Sequence, residues 1–351
     1  MADAMTAPRF HGDPPTHFVS PLLEGAGVPH LFTTRNFPGV TAFRDPFPPL
    51  GPDAMPLLAE CGLAAEPAAF LKQVHGADVL RATVGGLAGN ADALMTDRPG
   101  LPIAVFSADC VPLLIYDPDG RRLAAAHAGW RGTAQSVARA AVEALVEAGG
   151  RPERFLAAVG PSIGPCCYEV DKPVIARLDE AFTGRWGAWV RSVGLGKWML
   201  DLWAANEAEL RGAGLRGDRI DNPRLCTGCR TDLFYSYRRG HKGRLVSVGA
   251  VPLTPPHPTL SPAGGEGAER NPLRGGGDGA ESNPLRGGGE GAESNPSLLW
   301  RREPRGTLSL LGRREPRRTL SPLGRGPRFE PRRLSPSGEA RAEMGRGSPA
   351  C

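Results

Sequence analysis

Beyond residue 254 the sequence ceases to be one that can bury a core. Residues 269–280 read ERNPLRGGGDGA and 281–292 read ESNPLRGGGEGA; 301–312 read RREPRGTLSLLG and 313–324 read RREPRRTLSPLG. These tandem units are rich in Gly, Pro and Arg and poor in aromatic and β-branched residues. They cannot bury enough apolar surface to offset the entropy of ordering, and they are too short to stack as solenoid repeats. Residues 254–351 are therefore expected to be a disordered low-complexity tail. Folding falls to residues 19–253, one enzyme-sized domain, preceded by a flexible lead of residues 1–18.

The same boundary explains the charge. Residues 255–351 hold sixteen arginines and eleven acidic residues, which accounts for the whole formal net charge of +5. The part expected to fold is neutral, so the basic isoelectric point is no argument for nucleic-acid binding, and none is expected. There is no run of 18 apolar residues to span a membrane, and MADAMTAPRFHGDPP lacks the apolar centre of a signal peptide. A cytoplasmic location is expected. Seven scattered cysteines suit reduced thiols or metal ligands better than a disulfide framework.

Within 19–253 the apolar patterning changes period. Residues 101–106 (LPIAVF) and 111–116 (VPLLIY) read as buried strands. Asp117-Pro-Asp-Gly120 is a turn signal, and 122–127 (RLAAAH) reads as the returning arm of a hairpin. Residues 133–148 carry apolar positions at helical spacing, with Thr133 as N-cap and Gly149-Gly150 as the stop. Strands at 155–159 and 244–251 and helices at 174–182 and 202–210 complete an α+β reading: a layered mixed β-sheet domain flanked by helices. No GxGxxG or GxxxxGK[ST] supports a nucleotide loop.

Three metal-capable residues stand at the edges of these strands: His75 in FLKQVHGADV, Cys110 in IAVFSADCVPL and His127 in LAAAHAGWRG. Two imidazoles and a thiolate match a catalytic zinc site that leaves its fourth position open. The spacings, 35 and 17 residues, are not diagnostic. A lone histidine beside a strand is more often a satisfied core residue, and a lone cysteine a small buried hydrophobe. The hairpin favours the metal reading, because antiparallel pairing sets the start of 111–116 beside the end of 122–127.

QVHGADV, ADALMTD, SADCVPLLIYDP, AAAHAGWRGT, GPSIGPCCYEV, LCTGC and FYSYRR…GR occur in this order. Together they resemble the motif set of the YfiH-type family, over about residues 31–251. Members of that family have been described as laccase-like polyphenol oxidases, purine nucleoside phosphorylases and peptidoglycan editing factors. The resemblance implies zinc on His75, Cys110 and His127. It implies phosphorolysis of adenosine, inosine and methylthioadenosine, with adenosine deamination as a second activity. Hydrolytic editing of a peptidoglycan precursor and copper-dependent phenol oxidation are its alternatives. The latter fits poorly with one three-ligand site in a chain of seven histidines.

Further roles are then expected. Arg131, placed just before a helix N-terminus, would hold phosphate and take part in catalysis. Arg35 in FTTRN matches a family position in the pocket. Gln73 would contact base or ribose, and Asp109 would orient a ligand or act as a base. The partners are a purine nucleoside and phosphate, for a monomer or homodimer. Cys226-Thr-Gly-Cys229, lacking a second CxxC, reads as structural or incidental, Cys166-Cys167 as a tight loop, and FYSYRR as packing an edge. After Arg35 the chain lacks the Gly-Gly-Val and Ser-Leu-Asn segments of the family, which leaves the substrate loop open.

Overall fold

The computed structural model describes residues 8–40 and 50–254. Residues 255–351 of the segment predicted as a low-complexity tail, residues 1–7 of the predicted lead, and the atypical stretch after Arg35 at 41–49 lie outside them. The described residues form an α+β fold of stacked mixed sheets and helices, as expected.

One sheet has the order β1 (Arg9–His11), β2 (His17–Val19), β3 (His30–Thr33), β16 (Leu245–Ala250), β8 (Pro102–Ser107), β4 (Ala69–Lys72) and β6 (Gly86–Asn90). The second has β15 (Ile220–Asp221), β11 (Leu156–Val159), β9 (Val111–Asp117), β10 (Arg122–Ala128), β7 (Ala93–Thr96) and β5 (Val79–Arg81). A small sheet of β12 (Glu169–Asp171), β14 (Lys197–Leu200) and β13 (Val190–Gly194) stands apart from them. Both large sheets are mixed: β4 runs parallel to β8 and β6, and β5 parallel to β7, among antiparallel neighbours.

The unbroken apolar runs of β9 and β10 follow from their place between two cores, since strands covered on both faces need no polar alternation. Leu114, Tyr116, Leu123 and Ala125 face Phe32, Ile103 and Val105 of the other sheet. Leu113, Ile115, Ala124 and Ala126 face the helices α4 (Val137–Glu147) and α6 (Leu202–Gly212) through Val137, Ala141, Leu145 and Leu210. Emptying one such leucine position costs ~2–5 kcal/mol. The predicted hairpin is present, with His127 opposite Pro112 and Ala128 opposite Val111.

Two local expectations are corrected. Part of the lead set at residues 1–18 is structured: β1 pairs with β2, and Phe18, 1% exposed, stacks on Phe32 at 5.1 Å. Histidine and phenylalanine alternating over so few residues gave too short a pattern to recognise. The helix expected from Thr133 begins at Val137, because Ser136 is left-handed (φ 60°) and separates it from a single turn, Trp130–Thr133. Thr133 is buried, and its hydroxyl accepts from Asn206 Nδ2 at 3.0 Å. The C-terminal stop is where the glycines put it, with Gly149 at φ 95° and the N–H groups of Gly149 and Gly150 returning to Val146 and Leu145.

Candidate active site

The carboxyl end of β4, the β8–β9 turn and the last residues of β10 converge, and they bring His75, Cys110 and His127 together. Their ligand atoms lie within 4.8 Å of one another. The two imidazoles meet edge to face, 5.1 Å between centroids at 76°. His75 is exposed, Cys110 half-buried and His127 buried, so the cluster has a closed floor and an open side. Gly129 makes this approach feasible. A Cβ there would stand 2.8 Å from Cys110 Sγ and 3.2 Å from His75 Cδ2, closer than a side chain tolerates.

Asp92, which the sequence reading passed over inside ADALMTD, joins two of the three residues. Its Oδ1 pairs with His127 Nδ1 at 2.8 Å. Its Oδ2 accepts the N–H groups of Val74 at 3.1 Å and Gly76 at 2.6 Å, on either side of His75. His75 itself is held at φ 61°, a conformation that persists where the surroundings impose it. Burial would raise the Asp92 carboxyl, but His127 and the N–H groups of Gly76 and Val74 outweigh it and hold it below the ordinary carboxylate range.

Burial likewise opposes ionisation of Cys110 and protonation of His127. Their mutual attraction wins: His127 and His75 bring the Cys110 thiol well down, and Cys110 with Asp92 brings the His127 imidazole up. A deprotonated sulfur and two imidazoles, one of them oriented through its Nδ1 by Asp92, are the donor set that zinc or another borderline-soft cation takes. Binding there would release the shared proton. The residues fit a metal ion.

The cluster opens into a cleft of about 510 Å³ whose walls include Gln73, Ser107, Arg131, Tyr237 and Arg244, within the size range of small-molecule sites. Arg131 is exposed, lies 4.3 Å above the Trp130 ring, and has no carboxylate within ion-pair distance among the described residues. The free amide end of a long helix expected beside it is absent, since α4 starts six residues later. What Arg131 presents to the cleft is its own guanidinium.

The structure assigns different work to three of the expected residues. Gln73 lines the cleft, but its amide is paired with the backbone of Phe106, donating to the carbonyl at 2.8 Å and accepting the N–H at 2.7 Å. It extends the β4–β8 ladder. Asp109, 8% exposed, is not poised as a base: Thr227 Oγ1 donates to one oxygen at 2.6 Å, and the Arg238 N–H to the other at 2.7 Å. It braces Cys110 from behind, at φ 91°. Arg35 is turned from the cleft. It donates to the Thr231 carbonyl and lies 5.1 Å over the Tyr235 ring.

Ser107, Tyr237 and Arg244 were missed. Ser107 is 2% exposed, and its Oγ has no hydrogen-bond partner among the described residues; the serine two residues before Asp109 in SADC was its only signal. Tyr237, 73% exposed, came within FYSYRR, which had been read as edge packing.

Known proteins resemble this chain in sequence and fold. Residues 54–251 match the family model described as multi-copper polyphenol oxidoreductase laccase. A purine nucleoside phosphorylase of Deinococcus radiodurans is 40% identical over 255 residues, covering 66% of this chain and 93% of its own length. A protein from an unknown prokaryotic organism named adenosine deaminase RL5 is 39% identical over 148 residues, covering 42% of this chain and 56% of its own length. Among solved structures, Bacillus licheniformis YfiH superposes with a TM-score of 0.63 at 28% identity, over 69% of this chain and 98% of its own. YlmD of Geobacillus stearothermophilus gives 0.61 at 29%, over the same shares. Among the described residues no helix is long and apolar enough to cross a membrane. On the family match, the extent of the Deinococcus relative and the two superpositions, this chain belongs to the YfiH-type family.

Proposed function

We propose that this chain is a zinc-dependent purine nucleoside phosphorylase, with adenosine deamination as a second activity. The observation that carries the reading is the His75, Cys110 and His127 cluster at the floor of a cleft whose wall holds Arg131, an arginine with no carboxylate partner among the described residues. The names of the relatives support the same class of substrate.

Zinc held by the three side chains would supply Lewis-acid chemistry at the base of the cleft. The chain's own residues account for the remainder. Arg131 presents a planar fork of donors that suits a phosphate, and Arg244 adds a second positive charge to the same wall. The Ser107 hydroxyl, which has no hydrogen-bond partner among the described residues, offers a donor and acceptor to a ribose or phosphate oxygen. Tyr237 at the rim offers an aromatic face to the purine. In phosphorolysis a phosphate oxygen forms a bond to C1′ as the bond from C1′ to the purine nitrogen breaks. The base leaves with a proton, and pentose 1-phosphate remains. Asp92, Gln73 and Asp109 position the residues that touch these groups.

Incubating the purified, zinc-loaded chain with adenosine and inorganic phosphate tests this reading. Adenine and ribose 1-phosphate in equal amounts are expected. Neither product from fully metallated protein would reject it.

A further inference from the structure

Four of the seven cysteines meet at a place the function above does not use. Cys166 and Cys167 lie in the loop after β11, Cys226 and Cys229 in the CxxC loop after β15. The two loops are sewn together by a parallel bridge between Ser162 and Cys226. The Ser162 N–H donates to Leu225 O at 3.1 Å, and the Thr227 N–H to Ser162 O at 3.1 Å.

All four sulfurs lie within 4.8 Å of one another. Cys166 Sγ and Cys167 Sγ are 3.3 Å and 3.5 Å from Cys229 Sγ. A tetrahedral ion with metal–sulfur bonds of about 2.3 Å would set its sulfurs about 3.8 Å apart, inside the observed spread. Gly228 permits the approach: a Cβ there would meet Cys167 Cβ at 2.8 Å and its Sγ at 3.1 Å. Donors are already aimed at two of the sulfurs, Gly164 N–H at Cys226 Sγ (3.3 Å) and Arg239 Nη2 at Cys167 Sγ (3.4 Å). Such donors favour thiolates.

We propose that this cluster is a second metal site, for a thiophilic cation of the zinc or copper(I) class. Cys166, Cys167 and Cys226 supply three thiolates, sufficient to retain such an ion. The site is a clip between two loops. Its effect reaches the active site, because Thr227 of the CxxC loop donates to Asp109, the neighbour of Cys110.

The test uses the full chain, grown with zinc and purified without oxygen under a phosphine reductant, with zinc and copper both measured per chain. Cys226→Ser and the double variant Cys166→Ser/Cys167→Ser are each expected to hold one equivalent less than wild type. An unchanged content would overturn the proposal. The His75 site reads separately, through loss of its own equivalent in Cys110→Ala. Should the cysteine variants fold poorly, Cys110→Ala refilled with cobalt(II) decides the matter. Intense thiolate-to-cobalt charge-transfer bands are expected from a site of three thiolates, and their absence would overturn it. Zinc and copper in the elemental reading distinguish the two cations.

Discussion

Asp92 and His127 are bonded twice. The carboxylate oxygen Oδ1 pairs with ring Nδ1 at 2.8 Å, and the His127 backbone N–H donates to the Asp92 carbonyl at 2.8 Å. With Nδ1 so engaged, Nε2 is the nitrogen left to face Cys110 and His75. The pairing fixes both the ring's tautomer and its orientation.

Asp92→Asn retains the shape and loses the charge. Zinc affinity should fall ~10–100-fold, while chain stability changes much less. A competition titration against a chromophoric chelator reads the first, and urea unfolding the second. Unchanged zinc affinity would remove Asp92 from the account.

Arg131→Ala should raise the KM for phosphate by roughly 10–100-fold, the loss expected for a charge-assisted hydrogen bond of ~1.5–3 kcal/mol. The KM for nucleoside should move far less. Arg131→Lys should recover only part, because an ammonium cannot reproduce the planar fork. Equal effects on both substrates would place Arg131 outside the phosphate site.

Ser107→Ala makes an unusual pair of expectations. The hydroxyl is buried without a partner among the described residues, so removing it should leave stability equal or raise it by ~1 kcal/mol. Nucleoside or phosphate binding should weaken about tenfold if the hydroxyl meets substrate. A destabilised variant with unchanged KM values contradicts both.

Acid should destabilise the domain through His30. Its Nε2 accepts the Ser20 N–H at 2.8 Å, and its Nδ1 pairs with the Val28 carbonyl at 2.8 Å. Burial is the main influence and prevails over Val28 and Glu24, lowering the pKa to about 4 from 6.5. Between those values the unfolded chain binds a proton that the folded one does not, so stability rises with pH. It falls on acidification from about pH 6.5 towards 4. This one residue should remove about 2 kcal/mol between pH 7.5 and pH 5. Urea midpoints at the two pH values check it, and His30→Gln should reduce the difference. Equal midpoints for wild type would refute the argument.

What was legible in the sequence was local or carried by ordered motifs. The runs of β8, β9 and β10 and the apolar stripe of α4 follow from burial on defined faces, and the Asp117–Gly120 turn sets the register that aligns His127 with Cys110. The metal triad was readable only as residue types at strand ends. Illegible were relationships decided by three-dimensional closure. Asp109 looked like a base because it adjoins Cys110, yet its carboxylate points to Thr227 and Arg238. Gln73 and Arg35 looked like ligand contacts, yet each is engaged with backbone carbonyls, of Phe106 and Thr231. The cysteine pairs are 60 residues apart, and no spacing rule links them. Asp92 was hidden because an aspartate before a strand is ordinarily a turn residue.

The position of β9 between two cores has a kinetic consequence. Amide hydrogens of residues 113–116 sit where partial opening cannot reach them, so they should exchange with deuterium only when the whole domain opens. Cys110 precedes that strand directly, and His127 pairs across it. An ion on these residues is thus released by one of two routes: through the open cleft, past His75, or by global unfolding. The dependence of its escape rate on denaturant would separate them, flat for the first and as steep as the unfolding limb for the second.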